Sequence, residues 1–283
     1  MPELPEVETF VRALRPAVVG RTIIAMHNTW PRHIDRPLPG ELAERIAGRR
    51  IDAVNRRGKF LLFNLTPSGA LVIHLRMSGH LSVVERSEPR DKHTHTVFIL
   101  DNDTELRFRD TRKFGRVYLV DDPQEILYKL GPEPLSPDFT PESLAAMLAD
   151  RKRAIKPFLL DQTMIAGIGN IYADEALHYA QIHPQRRTDS LTPAEIKRLH
   201  AGIQYVLDLG IKREGASIST YVKPDGEMGD MQNEVAVFRR AGQPCPRCGA
   251  TIERIVVGGR STHFCPLCQP NKKGDIPKEN VSP

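Results

Sequence analysis

Residues 60–77 read Phe60-Leu-Leu-Phe-Asn-Leu-Thr-Pro-Ser-Gly-Ala-Leu-Val-Ile-His-Leu-Arg-Met77. Phe60–Leu65 is a short run of large apolar residues, Thr66-Pro67-Ser68-Gly69 is a turn, and Leu71–Met77 resumes the run. In the second run Leu71, Ile73 and Leu75 alternate with Val72, His74 and Arg76. That is the period of a strand with one face in and one face out. The same pattern extends both ways from this hairpin. Thr22–Met26 and Ile51–Asn55 precede it; Thr96–Asp101, Leu106–Arg109 and Val117–Val120 follow, divided by turns such as Asp101-Asn102-Asp103. Such a series predicts a two-layer β-sandwich or flattened barrel, with an N-terminal helix over about Glu6–Leu14 packed against it.

The pattern changes after residue 130. Gly131-Pro132-Glu133-Pro134-Leu135-Ser136-Pro137 is a stiff linker and the best domain boundary. Thr140-Pro141-Glu142 opens one helix, and Thr192-Pro193-Ala194-Glu195 is a capping box for another. From there Ile196, Leu199, Ile203, Val206 and Leu207 form an apolar stripe at helical spacing, which is core packing. Asn170 is placed to cap a third helix, Ile171–Tyr179, while 213–240 reads as a long polar loop. The expectation is therefore an α+β, multi-domain chain. Its parts are an N-terminal sandwich over 1–130, a helical domain over 131–222, a connection over 223–240, a zinc finger over 241–271 and a disordered tail over 272–283.

The chain has 283 residues, 40% hydrophobic and 27% charged, as in an ordinary soluble protein. The net charge of +5 and pI near 9.1 are compatible with a polyanionic partner. Basic residues bunch in every segment: Arg49-Arg50, Arg56-Arg57 with Lys59, Arg151-Lys152-Arg153, Arg186-Arg187 and Arg239-Arg240. The N-terminus is acidic with no apolar leader, and no apolar run approaches the roughly 18 residues of a membrane span. The sequence thus points to a cytosolic protein in contact with the nucleoid, with no membrane partner. Without a long heptad run, it points to a monomer.

All four cysteines lie in two C-x₂-C knuckles, Cys245-Pro-Arg-Cys248 and Cys265-Pro-Leu-Cys268. That spacing supplies four thiolates to one tetrahedral Zn²⁺. With every ligand position filled by sulfur, the metal is structural. Between the knuckles, Gly258-Gly259-Arg260-Ser261-Thr262 forms a hairpin tip suited to gripping a phosphate.

At the other end stands Met1-Pro-Glu-Leu-Pro-Glu-Val-Glu8. Removal of the initiator methionine would leave Pro2 as a free secondary amine. An α-amine has a pKa of about 7.7–8.0 and attacks carbonyl carbons to give an iminium. Glu3 would move protons for it. Read alone, the same residues are a Pro/Glu-rich helix start. Asp110-Thr-Arg112-Lys-Phe114-Gly115 is a compact turn. Arg112 and Phe114 either enter an opened base stack or are a solvated cation and a core ring. Met77 continues the apolar face of its strand and also stands before a Ser-Gly turn, from which it could project. Lys59 is either catalytic or phosphate-binding.

Together these stretches resemble the formamidopyrimidine-DNA glycosylases, which share a fold with endonuclease VIII-type enzymes. The resemblance rests on Pro2–Glu8, Arg57-Gly58-Lys59, His74-Leu-Arg-Met77-Ser-Gly79, Asp110–Gly115, Gly167-Ile-Gly-Asn170-Ile-Tyr172-Ala-Asp-Glu175 and Gly259–Gln269, in order over almost the whole chain. It implies a helix–two-turn–helix module in the helical domain. It also implies excision of oxidised purines from duplex DNA, followed by β- and δ-elimination through a Pro2 Schiff base. Glu3 is implied as the acid/base and Glu6 and Arg260 as active-site support. Lys59 is implied as a catalytic, phosphate-contacting lysine. Met77, Arg112 and Phe114 are implied as the triad filling the gap left by the flipped nucleotide. Asn170 and Arg260 are the implied phosphate grip, with His74, His93, Lys156 and Tyr172 as further DNA contacts. The zinc held by Cys245, Cys248, Cys265 and Cys268 is the one cofactor. Two rivals remain at this stage. The sister activity on oxidised pyrimidines is disfavoured by Leu4, where that branch usually carries Gly. A non-catalytic zinc-hairpin DNA-binding module would have no need of Pro2 and Glu3. The wording of Gly215–Tyr221 and Met228–Arg240 departs from the family's usual one and puts lesion preference in doubt.

Overall fold

A computed structural model of the chain describes residues 1–149, 151–218 and 220–271. The expected tail over 272–283 lies outside them. The described residues divide into two compact units. The first comprises Met1–Lys129 and Gly210–Gln232; the second comprises Leu130–Leu209 and the chain from Asn233 onward.

In the first unit, helix α1 (Leu4–Val18) is longer than its sequence signal at both ends, with Pro5 in its first turn and Pro16 in its last. Val7, Phe10, Val11, Leu14 and Val18 recur at helical spacing and are at most 1% exposed. Each buried side chain of this kind stabilises the fold by about 1.5–3 kcal/mol. Arg15 donates from Nε and Nη2 to the Val54 carbonyl, pinning α1 to the sheet.

The sheet has nine strands: β1 (Thr22–Asn28), β2 (Ile34–Arg36), β3 (Arg49–Arg57), β4 (Phe60–Thr66), β5 (Ala70–His74), β6 (Gly79–Glu85), β7 (Thr94–Leu100), β8 (Thr104–Asp110) and β9 (Arg116–Val120). Helix α2 (Pro39–Ile46) lies between β2 and β3, and the short α3 (Gln124–Leu127) follows β9. The strand order is β2-β9-β5-β4-β3-β1-β7-β8-β6, antiparallel except for the β2–β9 pair. Laid flat, the seven spacings from β2 to β8 would span roughly 34 Å at ~4.8 Å each. Yet His33, one residue before β2, stacks on Phe108 of β8 with ring centroids 4.3 Å apart. The sheet therefore folds over on itself into two layers. One core runs through both, including Phe63, Ile73, Leu81, Phe98, Leu106 and Phe108.

The strand expected over Leu71–Met77 ends at His74, so Met77 lies in the turn before β6. Strands β2 and β6 and helix α2 are additional to the elements expected from the sequence. β6 buries fully only Gly79 and Leu81 of its seven residues. The segment Gly210–Gln232 packs with the first unit, although the sequence divides it between the helical domain and a connection. It has almost no regular structure, but it is not a loose loop. Asp230 N–H donates to Arg213 O (2.7 Å), Met231 N–H to Gly215 O (3.0 Å) and Gly229 N–H to Ser217 Oγ (2.9 Å).

The second unit holds α4 (Pro141–Ala149), α5 (Ile155–Leu160), α6 (Asn170–Ala180) and α7 (Pro193–Lys212) as far as Leu209, then the hairpin of β10 (Glu253–Val257) and β11 (Arg260–Phe264). Thr192 and Glu195 form the expected capping box at α7, Thr192 N–H donating to Glu195 Oε2 (2.9 Å) and Glu195 N–H to Thr192 Oγ1 (3.3 Å). At α6 the cap is Gly169, and Asn170 is the first helical residue. That shift frees the Asn170 side chain for a tertiary bond. α6 is buried nearly all round, charged residues included, which marks it as the central helix of its unit. No helix among the described residues is long and apolar enough to cross a membrane.

Candidate functional site

The amino-terminal corner of the first unit is a dense set of charges in a dry setting. Pro2 is buried, Glu3, Glu6 and Lys59 are 3%, 1% and 5% exposed, and Lys59 stands in the two-residue turn between β3 and β4. Glu6 Oε2 accepts the Glu3 backbone N–H at 2.7 Å, and Glu6 Oε1 accepts that of Ala216 at 2.8 Å. Hydrogen bonds to a charged acceptor contribute about 1.5–3 kcal/mol each, so this carboxylate fixes both the start of α1 and the 213–232 segment. Gly215 makes the approach possible. Its φ is +83°, and a Cβ there would lie 2.8 Å from Glu6 Cγ. Burial lowers the pKa of the Met1 amine, one residue ahead of Pro2, below its ordinary value; Glu3 and Glu6 oppose that shift, and Lys59 and Arg112 add to it. An amine so placed is a better nucleophile at neutral pH than a solvent-exposed one.

Three further side chains of the first unit project outward. Met77 and Phe114 are 40% and 46% exposed, neither in the core, and the Arg112 guanidinium lies 5.0 Å over the Phe114 ring. Their turns are anchored by Asp110, fully buried at the end of β8. Burial pushes the Asp110 carboxyl up. Contacts from His33, Ser78, Gly115 N–H and Arg112 N–H outweigh that and hold it well below the usual carboxylate range. Thr220 Oγ1 donates to Met77 O at 3.1 Å, and His80 Nε2 lies 2.9 Å from Lys223 O, tying the 213–232 segment to the start of β6.

His74 and His93 are less available than expected for DNA contacts. His74 is 7% exposed and its Nδ1 accepts the Arg76 N–H at 2.9 Å. Burial, with Arg76 and Lys59 nearby, lowers its pKa to about 3, so it is neutral. His93 is half-buried, its backbone bonded to Asp91 Oδ1 and Asp110 N–H.

In the second unit Arg260 is exposed at the first position of β11, after Gly258 and Gly259. Asn170 Nδ2 donates to Ser261 O at 3.0 Å, which brings the start of α6 and the hairpin tip together. Lys156 and Tyr172, expected as DNA contacts, are instead interior. Tyr172 is 1% exposed. Lys156 is fully buried, and its ammonium donates to Ser261 O (3.0 Å) and Thr262 Oγ1 (2.8 Å) and pairs with Asp174 Oδ1 (2.6 Å). This lysine holds the hairpin from beneath and presents no charge at the surface.

Two further carboxylates carry no sequence signal of their own. Asp174 Oδ2 accepts the His263 backbone N–H at 2.9 Å. Glu175 accepts the N–H groups of Ala236, Val237 and Phe238 at 2.7, 3.0 and 2.8 Å. The backbone groups they hold lie more than sixty residues away along the chain, beyond the reach of any local pattern.

The sulfurs of Cys245, Cys248, Cys265 and Cys268 lie within 4.8 Å of one another. Cys245 and Cys268 are 3.9 Å apart, Cys248 and Cys265 3.4 Å. A tetrahedral Zn²⁺ with Zn–S of about 2.3 Å needs sulfurs about 3.8 Å apart, so the donor set fits. The metal is structural. Among the described residues, the core around it consists of Val237, Ile252, Cys245, Cys265 and Cys268 with Ala250 against it, too little to hold the ribbon by burial alone.

Three family models match the chain in order. They are the formamidopyrimidine-DNA glycosylase N-terminal domain (1–117), the formamidopyrimidine-DNA glycosylase H2TH domain (130–222) and the zinc finger found in FPG and IleRS (242–271). A folded-over sandwich, a helical module and a four-cysteine ribbon in that sequence define a DNA glycosylase. The formamidopyrimidine-DNA glycosylase of the bacterium Symbiobacterium thermophilum is 52% identical over 278 residues, 97% of this chain and 91% of the relative. A mutant Lactococcus lactis FPG in complex with a Fapy-dG containing DNA matches with a TM-score of 0.90 and 41% identity, over 95% of this chain and all of the other. MutM in complex with carbocyclic 8-oxo-G containing DNA matches with a TM-score of 0.89 and 40% identity, over the same shares. This chain belongs to the formamidopyrimidine-DNA glycosylase family.

Proposed function

We propose that this protein is a bifunctional DNA glycosylase and AP lyase of base excision repair, removing 8-oxoguanine and formamidopyrimidines from duplex DNA. The observation that carries the reading is the amino-terminal corner, a buried Pro2 beside two buried carboxylates and a lysine. The relatives described on Fapy-dG and 8-oxo-G DNA supply the substrate class.

With Met1 removed, the Pro2 nitrogen attacks C1′ of an extruded nucleotide. The glycosidic bond breaks and the base leaves with the electron pair, taking up a proton. Glu3 donates a proton to O4′ as the C1′–O4′ bond opens. Nitrogen loses its own proton, and an iminium joins Pro2 to C1′. Loss of a C2′ proton then expels the 3′ phosphate, and loss of a C4′ proton expels the 5′ phosphate. Glu6 holds the α1 start against the 213–232 segment, and Lys59 favours the neutral amine and contacts phosphate. Extrusion costs a few kcal/mol of stacking, offset by Met77, Arg112 and Phe114 entering the gap. In the second unit Asn170 and Arg260 grip phosphate, supported by the zinc ribbon, and Lys156 supports that grip from below. The protein acts as a cytoplasmic monomer, on the nucleoid when bound to DNA.

Borohydride trapping on duplex DNA with 8-oxoguanine opposite cytosine tests this. The expected result is a covalent adduct at Pro2, with Pro2→Gly binding DNA but losing cleavage. An adduct at another residue, or wild-type cleavage by the variant, would sink the mechanism. An adduct formed only on an oxidised pyrimidine would move the substrate class.

A further inference from the structure

Asp110 touches both turns that carry the gap-filling side chains. Its Oδ1 accepts Ser78 Oγ–H at 2.5 Å and the Arg112 N–H at 3.1 Å; its Oδ2 accepts the Gly115 N–H at 2.7 Å. Arg112 N–H also reaches Ser78 Oγ, at 3.1 Å, closing a small ring of bonds. Ser78 follows Met77 directly, while Arg112 and Gly115 frame Phe114. The β6–β8 ladder ends at the Gly79–Asp110 pair, and beyond that end one carboxylate with no exposed surface ties the two turns together.

Behind Asp110 stands His33, also fully buried, its Nε2 3.6 Å from Asp110 Oδ2. The other ring nitrogen, Nδ1, lies 2.9 Å from Thr96 Oγ1, and that oxygen accepts Asn28 Nδ2–H at 2.9 Å. Since Thr96 Oγ1 already accepts from Asn28, its own hydrogen is free to point at His33 Nδ1. With the hydroxyl donating there, the ring carries its proton on Nε2, toward the carboxylate. His33 lies flat on Phe108, so it cannot turn away. Gly115 completes the packing. A Cβ there would come within 2.7 Å of His33 Nε2 and 2.4 Å of Phe108 Cζ.

We propose that Asp110, oriented by His33, is a positioning residue that makes Met77, Arg112 and Phe114 act as one unit when a nucleotide is extruded. The role rests on the glycosylase reading above. Neither residue touches the reacting atoms. The carboxylate sets the distance between the two turns, and His33 sets the carboxylate. Filling a gap in a stack demands three side chains at fixed separations, and a misplacement of about 1 Å at such a site costs on the order of 10²-fold in rate. Reading the estranged base demands the same of Arg112 alone.

The experiment compares wild type, Asp110→Asn, Ser78→Ala, His33→Gln and His33→Leu in two assays. One is 8-oxoguanine excision from duplex DNA opposite cytosine and opposite adenine, with kcat and KM resolved. The other is borohydride trapping on a single-stranded oligonucleotide with a preformed abasic site, where no stack is opened and no base is estranged. Asp110→Asn is expected to lose at least about tenfold in duplex kcat and most of its discrimination between opposite bases, with single-strand trapping within about twofold. Ser78→Ala should do the same more weakly. Glutamine at 33 can still donate toward Asp110, so His33→Gln should keep more discrimination than His33→Leu. Equal losses in both assays, or unchanged opposite-base discrimination in Asp110→Asn, would overturn the role. A wild-type protein that traps on the abasic strand but excises nothing from either duplex would overturn the glycosylase reading, and this role with it.

Discussion

Lys156 Nζ lies 2.6 Å from Asp174 Oδ1, and neither side chain has any exposed surface. Two charges taken out of water in this way stabilise a fold only as a pair, with their remaining valences satisfied. Here the same ammonium also reaches Ser261 O and Thr262 Oγ1, and Asp174 Oδ2 takes the His263 N–H. Removing one member leaves the other charged, buried and unpaired. We expect Lys156→Met to destabilise the second unit by about 3–5 kcal/mol, and Lys156→Met/Asp174→Leu to be less destabilised than that single variant. Thermal unfolding of the three proteins checks it; a double variant at least as unstable as the single one contradicts it.

The amine at the head of the chain gives a pH dependence with a definite sign. Burial, Lys59 and Arg112 lower the pKa of the Met1 amine, and a Pro2 amine freed by removal of Met1 stands one residue further into the same surroundings, so its unprotonated form is expected to extend to lower pH than that of a free α-amine. The acidic limb of the Schiff-base trapping rate should therefore lie below about pH 8. Lys59→Met removes one of the lowering charges and should move that limb upward, whatever it does to the plateau. A limb that stays in place would show that Lys59 does not act on the nucleophile's proton.

Glu195 ties acid stability to the second unit. Burial raises its pKa, but the Thr192 N–H and hydroxyl and the Arg186 guanidinium outweigh burial and hold it at about 2. A depressed carboxyl stabilises the fold fully above its unfolded pKa of about 4.3 and loses that contribution as pH falls toward the folded value. Between about pH 4.3 and 2 the melting temperature of wild type should fall more steeply than that of Glu195→Gln. Parallel curves would remove Glu195 from the account.

Arg260 and the zinc ribbon should separate in salt titrations. Arg260→Ala is expected to weaken binding to all duplex sequences and reduce the slope of log K against log salt by about one unit. Stripping the metal with a chelator should do at least as much and also unfold the hairpin, seen as a loss of β signal in circular dichroism. A salt slope unchanged in Arg260→Ala would take that guanidinium off the phosphate.

Much of this molecule is legible in its sequence because the decisive signals are local. Alternation over Leu71–Leu75, the proline linker after residue 130 and the two cysteine knuckles each fit within a short window. Lys156 is the instructive case on the other side. Its charge is visible in the sequence and its burial is not, since that is set by Asp174, Ser261 and Thr262 from other elements. His33 is similar, an unremarkable residue until the sheet folds over and lays it on Phe108. Met77 shows a finer failure. The apolar run continues through it, but the pairing of β5 stops at His74, and a side chain that reads as core becomes exposed. Asp110 is one letter of a turn in the sequence, and its bond to Ser78, 32 residues away, appears only in the fold.

The carboxylate of Glu6 serves two clients at once, the N–H that follows Pro2 and the N–H that follows Gly215. The 213–232 segment and the start of α1 are therefore not separable modules for evolution or for engineering. A transplanted 213–232 segment that fails to offer its amide at the same point would release one oxygen of Glu6 and disturb the end of the chain where bonds are broken. Changes in lesion range made by loop exchange should consequently arrive with changes in chemical rate, and compensating substitutions should be sought at the first turn of α1, not within the loop itself.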